Sequence, residues 1–217
     1  MLKLQFIKEN DRPLKILCLG AHSDDIEIGC GGSMLRILNE YKNVEVLWIV
    51  FSANHQRASE AENSASQFLA GAQKKKIRIE KFRDGFFPYD GKLVKEYFEA
   101  LKDEYDPGLI FTPFREDLHQ DHRLVSELTW NTFRNHFILE YEIFKYDGDL
   151  GRPNFFIQLS QEICSKKIDI ITKAFLSQAD RNWFTPDAFS AIMRLRGIEI
   201  NAGENFAEAF YGRKVPF

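Results

Sequence analysis

Two short stretches concentrate groups that bind cations and move protons: His22, Asp24 and Asp25 in "AHSDDIEIGCGG" (21–32), and Asp117, His119, Asp121 and His122 in "DLHQDHR" (117–123). Each sets two candidate ligands three residues apart, His22 with Asp25 and His119 with His122. A turn or a first helical turn presents that spacing on one side. Two imidazoles and a carboxylate, with a position left for water, are the usual make-up of a catalytic zinc site. The same set serves non-haem iron(II) oxygenases. The glycines invite another reading, a loop cradling a phosphate. However, "GCGG" is not G-x-G-x-x-G, and Asp24 and Asp25 stand where backbone amides would meet a pyrophosphate. Paired carboxylates repel an anion and draw a cation. Either stretch alone has a plainer explanation, an aspartate capping a helix or a histidine satisfied in the core. Together they read as one metal site.

The elements around them alternate. "LKILCLG" (14–20), "VEVLWIVFS" (44–52), "KIRIEKF" (76–82), "GLIFTP" (108–113) and "FILEYEIF" (137–144) read as strands, with helices over 32–41, 55–72, 92–104 and 121–136. That order predicts βαβ units and a parallel sheet, unlike the antiparallel jelly roll on which iron(II) oxygenases typically carry their ligands. Both polar clusters follow strands, and ligands of such sheets bind beyond the strands' carboxyl ends. Gly29, Gly31 and Gly32 are read as easing a turn close to a helix start. Beyond a turn-rich connector (145–154), "FFIQLS" reads as a strand, Ser160 as the cap of a helix reaching about residue 178, and "PDAFSAIMRLRG" as helical; "NFAEAFYGRKV" is ambiguous. This tail is expected to pack over the sheet and close a pocket.

Composition narrows the class. A chain of 217 residues, 44% apolar and 28% charged, can build one sizeable core, as soluble globular proteins do. The net charge is −3 and the basic residues are dispersed apart from Lys74, Lys75 and Lys76. No footprint for sequence-independent nucleic-acid binding results, and the lysine run reads as a solvated helix end. "MLKLQFIKENDRPLK" is too polar for a secretory leader, and no apolar stretch approaches the roughly 20 residues that span a bilayer. A cytoplasmic, non-transmembrane protein is expected. Cys18, Cys30 and Cys164 are odd in number and far apart, supporting neither a disulfide framework nor a thiolate metal site. His136 is read as structural, and His55 stays open.

"AHSDDIEIGCGG" resembles the A-H-P-D-D-E signature of the LmbE-like, or PIG-L-like, zinc-dependent N-deacetylases, and "DLHQDHR" their H-x-D-H signature. "RASEAENSASQFLAGA" (57–72) is similar to the family's R-x-x-E helix, "FRDGFF" (82–87) to its D-G turn, and "YDPGLIFTP" (105–113) to its next strand. The resemblance implies an α/β, Rossmann-like fold: a mostly parallel sheet flanked by helices, with a C-terminal α/β extension over the active-site edge. It implies one domain over 1–217, with a core at about 14–145 and the extension at about 146–217.

Carried over residue by residue, the resemblance implies His22, Asp25 and His122 as ligands of zinc, with iron(II) or another divalent metal as alternatives. Asp24 would be the general base. His119 would face the charge on the reacting carbonyl, with Asp121 orienting it and favouring its protonated form. Arg57 would bind substrate hydroxyls. The implied substrate is an N-acetylated amino sugar or its conjugate, and family members often form homo-oligomers. Phe86, Phe87, Tyr89 and Trp183 are candidate platforms for a sugar ring. Ser23 replaces the signature's proline and Ile26 its glutamate, and Glu27 is left unassigned. An amidase for a larger acyl group and a non-catalytic binder on the same scaffold are the competing readings. Intact Asp24 and His119 argue against the binder.

Overall fold

The structure, a computed structural model, describes residues 12–215. Most of the N-terminal stretch judged too polar for a leader, residues 1–11, lies outside the described residues. Five strands, β1 (Leu14–Gly20), β2 (Val44–Val50), β3 (Lys74–Ile79), β4 (Leu109–Pro113) and β5 (Phe137–Tyr141), pair in parallel in the order β3-β2-β1-β4-β5. The tail adds β6 (Phe155–Leu159) and β7 (Phe206–Gly212) to the same sheet, with β7 antiparallel to both β5 and β6. The result is the Rossmann-like α/β arrangement expected.

Both faces of the sheet are covered, so β1 is a continuous apolar run instead of an alternating one. Ile16 and Cys18 enter one core layer and Leu17 and Leu19 the other. Helices α1 (Asp25–Glu40), α2 (His55–Phe68), α5 (Gln161–Ala174) and α6 (Pro186–Glu199) share the first layer. Helices α3 (Gly91–Glu104) and α4 (Gln120–Thr132) build the second. Ser160 caps α5 as expected, its Oγ accepting the Ile163 N–H at 3.2 Å.

Two local expectations are corrected and one ambiguity is resolved. Helix α1 begins at Asp25, not near residue 32, so the glycines lie inside it. A Cβ on Gly29 would overlap the ring of Tyr141, and one on Gly32 would sit 2.7 Å from Leu159 Cδ1. Close approach to the sheet, not a turn, requires Gly29 and Gly32, while Gly31 lies against Phe68 of α2. The lysine run opens β3, an edge strand, where lysines discourage pairing with another chain. "NFAEAFYG" forms β7, whose Glu208 is buried with Lys167 of α5, 2.6 Å from its Nζ. Glu208 also accepts the N–H of Gly32 at 2.8 Å and of Ser33 at 2.6 Å, while Lys167 donates to the Ile28 carbonyl at 2.6 Å.

Candidate metal centre

Strands β1 and β4 are parallel neighbours, with Ile16 opposite Leu109 and Cys18 opposite Phe111. Their carboxyl ends therefore open side by side, at the point where strand order reverses and a crevice forms. The chain leaving β1 carries His22 to Asp25 into the start of α1, and the chain leaving β4 carries Asp117 to His122 into the start of α4.

Asp24 occupies the N-cap position of α1 but makes no capping hydrogen bond. Its carboxylate instead accepts from Arg57 Nη2 at 2.7 Å. Arg57 is placed by the start of α2, where the Asn54 side chain accepts its backbone N–H at 2.9 Å, a conventional cap. Asp25 lies in the first turn of α1, where the helix dipole favours an anion, and its Oδ2 accepts the His22 N–H at 2.7 Å.

Three donor atoms from the two stretches converge. His22 Nδ1 is 3.1 Å from His122 Nε2, His122 Nε2 is 3.3 Å from Asp25 Oδ2, and His22 Nδ1 is 3.6 Å from Asp25 Oδ2. Ligands roughly 2.0–2.2 Å from a tetrahedral zinc are separated by roughly 3.3–3.6 Å, so these residues fit that ion. His119 also approaches, and ligand atoms of His22, His119 and His122 lie within 4.8 Å of one another. The triangle with Asp25 is tighter, and it matches a metal's own spacing. His119 Nδ1 is occupied, accepting the Asp121 N–H at 3.2 Å as the cap of α4, which leaves its Nε2 for the crevice.

The ring nitrogens turned away from the triangle meet carboxylates, the arrangement that orients metal-binding histidines. His122 Nδ1 is 2.9 Å from Asp117 Oδ2, and His22 Nε2 is 3.1 Å from Asp84 Oδ1 and 3.4 Å from Asp121 Oδ2. Asp121 also accepts the N–H of Gly85 at 2.7 Å and of Phe87 at 3.2 Å, fixing the turn that presents Asp84. Its carboxylate thus serves His22 and this turn.

The charges follow. Burial opposes a charged His22, but Asp121, Asp84 and Asp25 outweigh it and push the ring up to about 10. Burial opposes a charged His122 too, and Asp25 and Asp117 push it up to about 9. Asp25 is buried, yet the two rings hold it below the usual carboxylate range. Burial raises Asp24 against the pull of Arg57, with Asp25 adding to the rise. His119 is lowered, by burial first and then by His122 and His22, against weaker opposition from Asp25 and Asp121. That direction is opposite to the one expected from Asp121.

Asp117, counted in the second stretch, and Asp84, in the D-G turn, had no individual role from sequence. Their signals were weak, an aspartate two residues before His119 and the D-G turn. Glu27 is fully buried and neither carboxyl oxygen has a well-formed hydrogen bond; burial drives its pKa well up, tempered by its backbone amide and Ser64. Ile26 is buried in the core. Phe87 is buried, its ring stacked 6.1 Å from that of His22. Phe86 and Tyr89 are exposed with rings 5.8 Å apart, whereas Trp183 packs edge-on against Phe144 and Phe184. His55 is exposed at the start of α2, and His136 pairs with Asp106 at 2.9 Å. Among the described residues no helix is long and apolar enough to cross a membrane.

Residues 17–133 match the family described as PIG-L: GlcNAc-PI de-N-acetylase. Among solved structures, a conserved protein of Thermus thermophilus superimposes with a TM-score of 0.75 at 18% identity, over 94% of this chain and 97% of that one. The N,N'-diacetylchitobiose deacetylase of Pyrococcus horikoshii gives 0.71 at 22% identity, over 92% and 84%. The 4-carboxy-2-hydroxymuconate hydratase of Pseudomonas putida gives 0.67 at 14% identity, over 94% and 97%. These likenesses show a shared fold.

Proposed function

The chain belongs to the PIG-L family, and on that premise we propose that it hydrolyses the amide of an N-acetylated amino sugar, free or carried on a nucleotide, lipid or glycan. A divalent cation, zinc by preference, would be held by His22, Asp25 and His122. A hydratase shares the fold, so the reading rests on the site and not on the fold. The observation that carries it is the triangle of His22 Nδ1, His122 Nε2 and Asp25 Oδ2, with edges of 3.1 to 3.6 Å. When bound, such an ion supplies Lewis acidity to the acetyl carbonyl and lowers the pKa of water.

An amide is a poor electrophile with a poor leaving group, so the chain itself must supply a base, a partner for developing charge and a proton for nitrogen. Asp24, beside the ligands and not spent on capping, accepts a proton from the attacking water as the new C–O bond forms. His119 holds its proton on Nε2, because Nδ1 is an acceptor; that N–H faces the oxyanion, a term of about 3 kcal/mol. When the C–N bond breaks, the proton taken by Asp24 passes to nitrogen, and acetate and the amine leave. Arg57 steadies Asp24 and turns its remaining N–H groups to substrate hydroxyls. Asp121 acts at one remove, by holding His22 and the Asp84 turn.

The test is acetate release from a panel of N-acetyl sugars, free, nucleotide-linked and lipid-linked, by zinc-loaded protein with and without chelator. Release that a chelator abolishes and zinc restores is expected. No release from any member would overturn the reading.

A further inference from the structure

Asp117 is a buried carboxylate with every contact committed. Its Oδ1 accepts the His119 N–H at 2.7 Å, and its Oδ2 lies 2.9 Å from both His122 Nδ1 and Lys145 Nζ. Lys145 comes from the connector after β5, remote in sequence from both metal-site stretches. We propose that Lys145 is a positioning residue of the metal centre, acting on His122 through Asp117. The proposal rests on the reading of His122 as a metal ligand.

A carboxylate buried with only a ring N–H on one oxygen is costly and finds other partners when it can turn. The ammonium removes both problems, because it pairs the charge and pins Oδ2. That oxygen sets the plane of the His122 ring, and the plane sets the direction of Nε2. Lys145 is itself held. Its side chain is only 12% exposed, and Nζ also donates to Asp149 and, at 3.3 Å, to the Ile143 carbonyl. Asp149 Oδ2 in turn accepts the Leu118 N–H at 2.8 Å. The loop after β4 and the connector after β5 are thereby clasped around Asp117. A lysine is suited to this place because its three donors can serve the two carboxylates and the carbonyl together.

The experiment measures zinc affinity of the full chain by competition with a chromophoric chelator, and the visible spectrum of the cobalt(II)-loaded protein, for the unaltered chain, Lys145→Met and Lys145→Arg. Changes to groups that orient metal ligands typically weaken binding by about 10- to 100-fold. Lys145→Met is expected to lose about tenfold in zinc affinity and to shift the cobalt spectrum, with Lys145→Arg recovering most of both. A merely structural lysine would lower the melting temperature of the metal-free protein and leave the cobalt spectrum alone, which overturns the proposal. If Lys145→Met does not fold, Lys145→Gln, which removes the charge beside Asp117 while keeping a polar side chain, carries the same comparison; unaltered zinc affinity and cobalt spectrum there also overturn it. An unaltered chain that binds no zinc overturns the reading of the site and this proposal together. Tight zinc binding in the unaltered chain and in every variant overturns this proposal alone.

Discussion

Arg57 Nη2 stands 2.7 Å from Asp24 Oδ1, joining the start of α2 to the N-terminus of α1. Burial pushes Asp24 towards its neutral form, and the guanidinium opposes that push without cancelling it. A base is useful only while it is ionised, so the pair links the residue that would read substrate hydroxyls to the residue that would accept the proton.

Asp24→Asn keeps shape and burial but removes the base. Zinc content should stay near that of the unaltered chain while turnover falls by about 10²- to 10⁴-fold. Steady-state kinetics with metal analysis checks this, and near-normal turnover would refute the base assignment.

Two ligand sets are geometrically open, His22 and His122 with Asp25 or with His119. Asp25→Ala should abolish stoichiometric zinc, whereas His119→Ala should retain it and lose about 10²- to 10³-fold in turnover, as for one donor to an oxyanion. The reverse pattern in metal analysis would transfer the third ligand to His119.

In the metal-free protein His22 and His122 are raised from the ordinary 6.5 to about 10 and about 9. A raised folded-state pKa contributes stability that is full below the unfolded value and fades as pH climbs to the folded one. Asp25 is shifted down, so its share is lost as pH falls below the carboxylate range. Urea unfolding of metal-free protein should therefore show this cluster stabilising most between about pH 4 and 6.5, and losing its effect by about pH 10. Because entering zinc must expel the ring protons, affinity should also rise with pH up to about 10. Equal or greater metal-free stability at pH 9.5 than at pH 6 would contradict the shifts.

Gly29→Ala separates two opposing effects. Helix propensity alone favours alanine by about 1 kcal/mol. The added methyl would strike the Tyr141 ring, which is held by a 2.6 Å hydrogen bond from its hydroxyl to the Leu19 carbonyl. Overpacking of this kind costs about 1–3 kcal/mol, so the melting temperature should fall. A rise would show that the ring gives way.

The parallel strands were legible because a sheet buried on both faces writes itself as apolar runs, and β1 is found where "LKILCLG" places it. The start of α1 was hidden, since glycine runs signal turns unless a tertiary neighbour demands the space, as Tyr141 does at Gly29. β7 was ambiguous because buried Glu208 breaks its alternation, and its partner Lys167 lies 41 residues earlier. At the centre, His22, Asp25 and His122 could be named from local spacing and a family signature. Lys145 could not, because its effect passes through Asp117, and nothing in one dimension joins them.

The ion pair of Lys167 and Glu208 reaches into the middle of α1, where it serves the Ile28 carbonyl and the Gly32 and Ser33 amides. An ideal helix pairs the Gly32 amide with the Ile28 carbonyl. The helix that begins beside Asp24 thus also takes hydrogen bonds from side chains contributed by the last third of the chain. A truncation after residue 145 would keep both signature stretches and strip those side chains from α1. The span that matches the family, residues 17–133, therefore omits side chains to which α1 is hydrogen-bonded.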